Sequence, residues 1–265
     1  MAGKVSCLLY AQDGRHSAPC IRMLGTSIYL TIFDHGGLLS TARFNIHRHL
    51  DVFLRILIGV SSGSLSTLGF DTSIQWRTVC RDGKQHNVKQ VVIARNGQPP
   101  CTMELTRVPF ISDNLHGRGT TVWEGLLLEP LAFIGEGGKQ KCSKPKAGQE
   151  ETVVVKDSWI DPLRKYTEGM ILSMLNNKGI EGVPRFIHEQ QVETYHPQSH
   201  PNNVMVVNNS THTLHSAVTD HFYYLHILCH TITTLVGVSI AEFSCLGELL
   251  VAFLDYIVGQ NFSPF

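Results

Sequence analysis

One short stretch constrains the fold of this chain more than any other. Three β-branched residues, Val153 to Val155, stand directly before Lys156 and predict a strand that ends on a lysine. The amphipathic segment that follows carries Glu168 and predicts a helix. A strand gives the lysine a fixed stem, and a carboxylate on the next helix keeps its ammonium charged and extended. This order predicts an α+β fold in which Glu168 is a candidate partner of Lys156.

A plainer interpretation of the same residues is also open. Arg164 lies four residues before Glu168, so the two could form an ordinary salt bridge on the surface of a helix. Such a pair contributes only about 0.3 to 0.5 kcal/mol. Lys156 could likewise be a solvated strand end.

Charge and hydrophobic content narrow the classes of protein to which the chain can belong. Its 265 residues are 43% hydrophobic and 17% charged, as in globular proteins of one large or two modest domains. The 22 basic and 22 acidic residues balance, so nothing predicts broad attraction to nucleic acid or to an anionic membrane. No apolar run reaches the length of about 18 residues that a membrane span needs.

Cysteine and histidine usage predicts neither disulfides nor a metal. The seven cysteines are odd in number and scattered, so we expect reduced thiols in an intracellular protein of the cytoplasm or nucleus. Among the 14 histidines, His226 and His230 share a face of either a helix or a strand. No cysteine or carboxylate set stands at ligand spacing beside them, so we predict no metal site. Cys229 is expected to be a strand neighbour of His230 and not a hydrolase nucleophile.

Periodicity divides the first half of the chain into predicted elements. We expect a loose lead over residues 1–20, a hairpin around the turn at 34–37, and a helix near 50–58 that covers one face of the hairpin sheet. A second hairpin is predicted over 88–108, and a further strand runs to about Leu128.

The second half alternates strands, helices and polar loops. The helix with Glu168 is expected to begin at Asp161 and Pro162 and to end near Gly179. The other predicted elements are a solvated Gly/Lys-rich insert at 135–151, a strand at 183–192, a loop of low order at 195–216, strand structure at 223–236 and an amphipathic helix at 243–258.

Two glycines, Gly117 and Gly119, precede the strand that is predicted to run to about Leu128. Gly117 and Gly119 lack a side chain, which would let the backbone approach a ligand such as a phosphate. The third glycine of the usual phosphate-covering loop is replaced by Val122. An ordinary β-turn is the simpler interpretation until Lys156 is taken into account.

Together these blocks resemble a fungal-type protein kinase. The similarity runs from about residue 22 to the C-terminus, and its most specific parts are Lys156-Asp157-Ser158-Trp159 and Leu68-Gly69-Phe70-Asp71. The other matching blocks are Phe33-Asp34-His35-Gly36-Gly37, Phe44-Asn45-Ile46-His47, the run at 53–59, Gly117-Arg118-Gly119-Thr120, Glu168, Gly182-Val183-Pro184-Arg185 and Val236-Gly237.

The resemblance implies a kinase-like small lobe with a β-rich N-terminal extension and the first helices of an incomplete large lobe. Gly117 and Gly119 would cover the phosphates of ATP bound with magnesium, Lys156 would contact them, and Glu168 would pair with Lys156. The implied regions are a loose lead at 1–21, the β-rich region at 22–112, the small lobe at 113–192, a flexible loop at 193–218, and the hinge with the first large-lobe helix at 219–265.

The sequence departs from the family pattern at two places. Val238 and Ser239 follow Gly237 where the family hinge carries Arg-Pro. The His-Arg-Asp loop and the Asp-Phe-Gly metal site do not follow the last helix, and the upstream runs His49-Leu50-Asp51 and Asp34-His35-Gly36 cannot replace them. We therefore assign no catalytic residue and expect weak or no phosphotransfer.

A second hypothesis belongs to a different class of function. The β-rich region or the helix at 243–258 could dock onto a protein partner or onto a second copy of the chain. An apolar helix face without a packing partner favours such association. Nucleotide binding and concentration-dependent oligomerisation separate the two hypotheses.

Overall fold

The computed structural model describes residues 2–95, 98–114, 116–128, 133–134, 140–141, 151–195, 206–211, 215, 224–234 and 243–261. Within them the chain has an α+β fold that is rich in strands. The helices are α1 (Ala2–Ala11), α2 (Leu50–Ser62), α3 (Glu168–Asn177) and α4 (Leu246–Asn261). The strands are β1 (Ser17–Leu24), β2 (Ser27–Asp34), β3 (Gly37–Ser40), β4 (Phe44–Asn45), β5 (Ile74–Arg81), β6 (Lys84–Arg95), β7 (Gln98–Ile111), β8 (Thr121–Leu127), β9 (Phe133–Ile134), β10 (Gln140–Lys141), β11 (Glu151–Ile160), β12 (Phe186–Gln191), β13 (Glu193–Tyr195), β14 (Val206–Asn208) and β15 (Ile227–Thr234).

The largest sheet among the described residues is antiparallel and has seven strands, in the order β12–β15–β11–β8–β7–β6–β5. β11 lies between β15 and β8, so both edges of its backbone are hydrogen-bonded. Its register places Lys156 opposite Val122 of β8 and Thr231 of β15. One face of the sheet packs into the main hydrophobic core, to which β11 contributes Val153 and Val155.

Several predicted elements are confirmed. β2 and β3 pair around the turn at 34–37, and β6 and β7 form the second hairpin. β8, β12 and α4 also form close to where the sequence placed a strand, a strand and a helix. The strand with the lysine is β11, but it continues to Ile160, so Lys156 lies within the strand and not at its end.

The prediction of a loose lead at residues 1–20 is wrong for the part that the structure describes. α1 occupies Ala2–Ala11, and β1 follows it and pairs with β2 along its whole length. Val5 and Leu9 of α1 are buried against Ala18 and Phe33. The segment is ordered because it covers the β1–β2 pair, a contact that local periodicity cannot reveal.

α2 forms where it was predicted but lacks the predicted packing. None of its residues is buried, and Leu50, Leu54, Leu57 and Ile58 are exposed. It does not form the layer over the hairpin sheet that the sequence suggested, and the helix that packs against the β1–β2 pair is α1.

α3 begins later than predicted, at Glu168 rather than near Asp161. Asp161 caps a turn by accepting the backbone N–H of Leu163 at 2.8 Å, and the Leu163 side chain is 89% exposed. Thr167 is the N-cap of the helix, and its hydroxyl accepts the backbone N–H of Met170 at 3.2 Å. Glu168 therefore stands in the first helical turn, where a carboxylate is favoured by the helix dipole.

Parts of two predicted loops lie outside the described residues, as do Val236 and Gly237 of the hinge. The insert is described only at residues 140–141 and at Glu151. In the described part of the loop predicted at 195–216, β14 pairs with β13 and Thr211 is buried, so this part is not of low order.

The predicted boundary after residue 112 falls between β7 and β8, which pair in the main sheet. The β-rich region and the small lobe thus share one sheet, and their division into separate regions stays a prediction. None of the described helices has the length and apolar character needed to span a membrane.

Candidate functional site

The site is built on the central strand of the main sheet. Alternate residues of a strand point to opposite faces, so Val153, Val155 and Asp157 share the buried face while Lys156 lies on the other. Hydrogen bonding to β8 on one side and to β15 on the other fixes the backbone of β11. The stem of Lys156 thus starts from a rigid position.

Glu168 is brought to this face by the start of α3. Lys156 Nζ lies 2.8 Å from Oε1 and 2.7 Å from Oε2 of Glu168, so the ammonium donates to both carboxylate oxygens. Arg164 precedes the helix and forms no ion pair with Glu168, so the interpretation as a surface pair along one helix does not hold. The structure therefore joins the two residues that the sequence singled out.

The neighbouring strand β12 holds the first turn of α3 in place. Glu189 accepts the backbone N–H of Gly169 at 2.9 Å and the hydroxyl hydrogen of Thr167. A Cβ atom added at Gly169 would lie 2.7 Å from the ring of Phe186, which is closer than atoms can approach. The glycine inside this helix is thus a requirement of close packing between α3 and β12.

The ion pair matters more for geometry than for stability. The side chains of Lys156 and Glu168 remain 30% and 40% exposed, and pairs of this kind contribute at most about 1 kcal/mol. A lysine ammonium has three hydrogens, of which Glu168 can accept two. The remaining donor, on a strand whose backbone is fixed, can bind an anionic oxygen.

The two predicted loop glycines lie at a different place. Gly117 donates its backbone N–H to the carbonyl of His35 at 3.2 Å, and Trp159 donates to the carbonyl of Arg118 at 2.8 Å. Gly119 has a φ of 44°, and an added Cβ would lie 2.1 Å from the His35 ring. No described hydrogen bond joins these glycines to Lys156 or Glu168. Close packing against His35 accounts for Gly119 without a ligand.

A second group of polar residues lies on the opposite face of β11. Asp157 accepts a hydrogen bond from Trp123 Nε1 at 3.1 Å, and its other oxygen lies 2.6 Å from His230 Nδ1. Asp71 Oδ2 lies 3.7 Å from His230 Nε2. Burial disfavours the charged imidazole, but the carboxylates of Asp157 and Asp71 outweigh this and raise the pKa of His230 to about 9.

Sequence reasoning missed this second group. The two most specific blocks of the resemblance contain Asp71 and Asp157, but the sequence does not say that they meet. No carboxylate stands at ligand spacing from His230 in the sequence, which therefore predicts no metal site there. The fold supplies the carboxylates from segments far away along the chain.

The order of elements around Lys156 identifies a class of protein. A lysine on a sheet strand, held by a glutamate of the following helix, is an arrangement typical of the small lobe of protein kinases. The profile of one kinase family, described as fungal protein kinase, matches residues 1–261, and the chain belongs to this family. The match includes residues 1–21, which lay outside the resemblance that the sequence suggested. No curated protein and no solved structure matches the chain significantly.

Proposed function

We propose that this kinase-like protein binds ATP and that Lys156 contacts its phosphates. The observation that carries the proposal is the ion pair between Lys156 and Glu168, with Nζ 2.8 Å and 2.7 Å from the two carboxylate oxygens. The pair directs the ammonium along the face of the sheet next to α3. A phosphate oxygen would accept the hydrogen that Glu168 leaves unused.

The surroundings of Lys156 support this proposal. Val154 lies two residues earlier on the same face of β11, and Val122 lies directly across on β8. Both side chains are half-buried. They offer apolar surface beside the ammonium, which suits a ligand with a flat base and a charged tail.

The described residues do not supply an obvious magnesium ligand on this face. The carboxylates near the start of α3 are Glu168 and Glu189, and they are committed to Lys156 and to the backbone of Gly169. We therefore assign no residue to magnesium, which would enter bound to the nucleotide phosphates.

The proposed function is binding rather than phosphotransfer. Transfer to a protein hydroxyl requires a catalytic base and a metal-binding aspartate. None of the described residues around Lys156 is placed in either role. Gly117 and Gly119 remain predicted phosphate contacts, although Gly119 packs against the His35 ring and Gly117 donates its backbone N–H to the His35 carbonyl.

Calorimetric titration of the purified chain with ATP and magnesium tests the proposal. We expect saturable binding that Lys156→Ala weakens by about 10- to 100-fold, the loss of one charge-assisted hydrogen bond. Glu168→Gln keeps the shape of the side chain but removes its charge, so a smaller loss is expected. Lys165→Ala is the matched control, because Lys165 is exposed and lies outside the ion pair.

Two outcomes would overturn this function. One is a wild-type chain, folded by circular dichroism, that shows no saturable binding. The other is equal affinity in the wild type and in a folded Lys156→Ala variant. A parallel assay with labelled ATP and a generic protein substrate reports phosphotransfer separately.

The second candidate function is association through α4. Leu246, Leu250, Val251 and Leu254 of this helix are each more than half exposed. Light scattering over a range of concentrations tests for self-association, which Leu250→Glu with Leu254→Glu should abolish. Leu163→Glu is the control, since Leu163 is exposed in a turn far from α4 in sequence. A monomer at every concentration would argue against self-association.

A further inference from the structure

A buried cluster lies on the face of β11 that does not carry Lys156. It consists of Asp71, Asp157 and His230, whose side chains are 4%, 10% and 1% exposed. One nitrogen or oxygen from each residue lies within 4.8 Å of the others. The residues come from the segment before β5, from β11 and from β15, so the cluster joins three parts of the chain.

The cluster contains a carboxylate oxygen without a hydrogen-bond partner. Asp71 Oδ1 accepts two hydrogen bonds from Ser73, one from the backbone N–H at 2.8 Å and one from the side-chain hydroxyl at 2.7 Å. Asp71 Oδ2 is buried and accepts no hydrogen bond. It is directed towards His230 Nε2 at 3.7 Å, which is too long for a hydrogen bond. A buried oxygen left in this state is costly.

Charge adds to the same imbalance. Among the described residues, no lysine or arginine side chain is hydrogen-bonded to Asp71, Asp157 or His230. Arg15, a nearby cation, is bound to the carbonyl of Leu68, to Gln12 and to the face of Phe70.

The distance between Asp71 Oδ2 and His230 Nε2 suits two ligands of one transition-metal ion. Two ligands at about 2.0 to 2.1 Å from a tetrahedral ion lie roughly 3.4 Å apart, close to the observed separation of Asp71 Oδ2 and His230 Nε2. Asp157 holds Nδ1 of His230 at 2.6 Å, as a carboxylate commonly does for a ligating histidine. The hydroxyl of Ser73 lies 3.0 Å from His230 Nε2 and is a third candidate ligand.

We propose that Asp71 and His230 bind a divalent metal ion of the zinc type, with Asp157 as the positioning residue for His230. The hydroxyl of Ser73 and water complete the coordination, and water enters from a cavity that Asp71 and Asp157 line together with His16 and Thr121. Nitrogen and oxygen ligands of this kind suit zinc, cobalt or nickel better than magnesium.

This site is separate from the proposed nucleotide site. Asp157 follows Lys156 directly on β11, so their side chains point to opposite faces of the sheet. An ion here would tie the segment before β5 to β11 and β15 and stabilise the strand that carries Lys156. Metal binding can therefore be measured without nucleotide, and either proposal can fail alone.

Titration of the chelator-treated full chain with cobalt(II) and then zinc tests the proposal. We expect one equivalent of cobalt to bind with the visible spectrum of nitrogen and oxygen ligands, without the sulfur charge-transfer band that the exposed Cys7, Cys80 or Cys245 would produce. Asp71→Asn should weaken zinc binding at least as much as Asp157→Asn, for which about 10- to 100-fold is expected. His215→Gln is the control, because His215 is also buried beside an aspartate, Asp34.

Thermal melting provides a second readout that does not depend on the spectrum. Zinc should raise the melting temperature of the wild type and of His215→Gln, because an ion that binds only the folded state stabilises it. It should leave folded Asp71→Asn unchanged. The proposal is wrong if the wild type takes up no ion at one equivalent, or if Asp71→Asn and His230→Gln bind zinc as tightly as the wild type.

Discussion

Glu189 Oε1 accepts the backbone N–H of Gly169 at 2.9 Å, and this contact ties the first turn of α3 to β12. Glu168 stands one residue before Gly169, so the same contact sets the position from which Glu168 reaches Lys156. β12 pairs with β15, which pairs with β11, the strand of Lys156. The ion pair is therefore supported from the helix side and from the sheet side.

Gly169→Ala should destabilise the protein although alanine favours a helix. The new methyl group would lie 2.7 Å from the Phe186 ring and 2.9 Å from the Glu189 side chain. Overpacking of this kind costs about 1 to 3 kcal/mol, more than the roughly 1 kcal/mol that alanine contributes in a helix. Urea denaturation gives the change in the free energy of unfolding.

Gly59→Ala is the matched control for Gly169→Ala. Gly59 lies in α2, and an added Cβ there would meet no atom within 4 Å. This variant should be neutral or more stable than the wild type. Equal destabilisation by both variants would contradict the packing of Gly169 against Phe186 as the cause.

Glu189→Ala should destabilise α3 and weaken nucleotide binding together. The change removes the acceptor for Gly169 and for the hydroxyl of Thr231, which donates at 3.1 Å. Unsatisfied partners of this kind cost about 1 to 3 kcal/mol. Denaturation and ATP titration check the two effects, with the exposed Glu181→Ala as control. A variant with lower stability but unchanged ATP affinity would contradict the link to Glu168.

Arg81→Ala should be more damaging than the loss of an ordinary surface arginine. Arg81 donates to both carboxylate oxygens of Glu104, at 2.8 Å and 2.6 Å, and Glu104 is buried. The Arg81 side chain is itself 43% exposed, so we expect a loss of about 1 to 3 kcal/mol, the cost of leaving the buried Glu104 side chain without its partner. The double variant with Glu104→Leu should recover most of the loss.

The control for Arg81 is Arg185→Ala. Arg185 lies 4.0 Å from Glu151, and both side chains are exposed, so this change should cost less than about 1 kcal/mol. Urea denaturation of the wild type, Arg81→Ala, the double variant and Arg185→Ala gives the free energies of unfolding that check the prediction. A similar small loss for Arg81→Ala would mean that Glu104 becomes hydrated when the arginine is absent.

Cys229 should resist alkylation in the folded protein. Burial raises the pKa of its thiol to about 12, with a further contribution from the charge of Glu189. Only the thiolate reacts, so iodoacetamide near neutral pH should label the exposed Cys7, Cys80 and Cys245 and leave Cys229 unmodified. Mass spectrometry of peptides checks this, with the denatured chain as the control in which every cysteine is labelled. Labelling of Cys229 as fast as Cys80 would contradict the buried placement.

The order of residues along the chain predicted the pair of Lys156 and Glu168, because the strand and the helix that carry them are neighbours in sequence. Glu168 follows Lys156 by only twelve residues. A strand and a helix that are so close in sequence commonly pack together. The start of α3 was misplaced because Asp161 and Pro162 initiate a turn as readily as a helix. The prediction that the backbone at Gly117 and Gly119 approaches a ligand stays a prediction, and the neighbour of Gly119 in the fold is His35, which lies far upstream.

The sequence by itself determined the two hairpins, the strand with Lys156, the helix with Glu168, and the resemblance to fungal protein kinases. These depend on local periodicity, turn residues and short blocks, which are properties of neighbouring residues. Only the tertiary structure decided that α1 covers the β1–β2 pair, that α2 remains uncovered, and that Asp71 and Asp157 meet at His230. Asp71 and His230 are far apart along the chain, and only the pairing of β11 with β15 and the return of the segment before β5 bring their charges together in the interior. No local pattern carries that information, since burial and long-range contact arise only when the sheet is assembled.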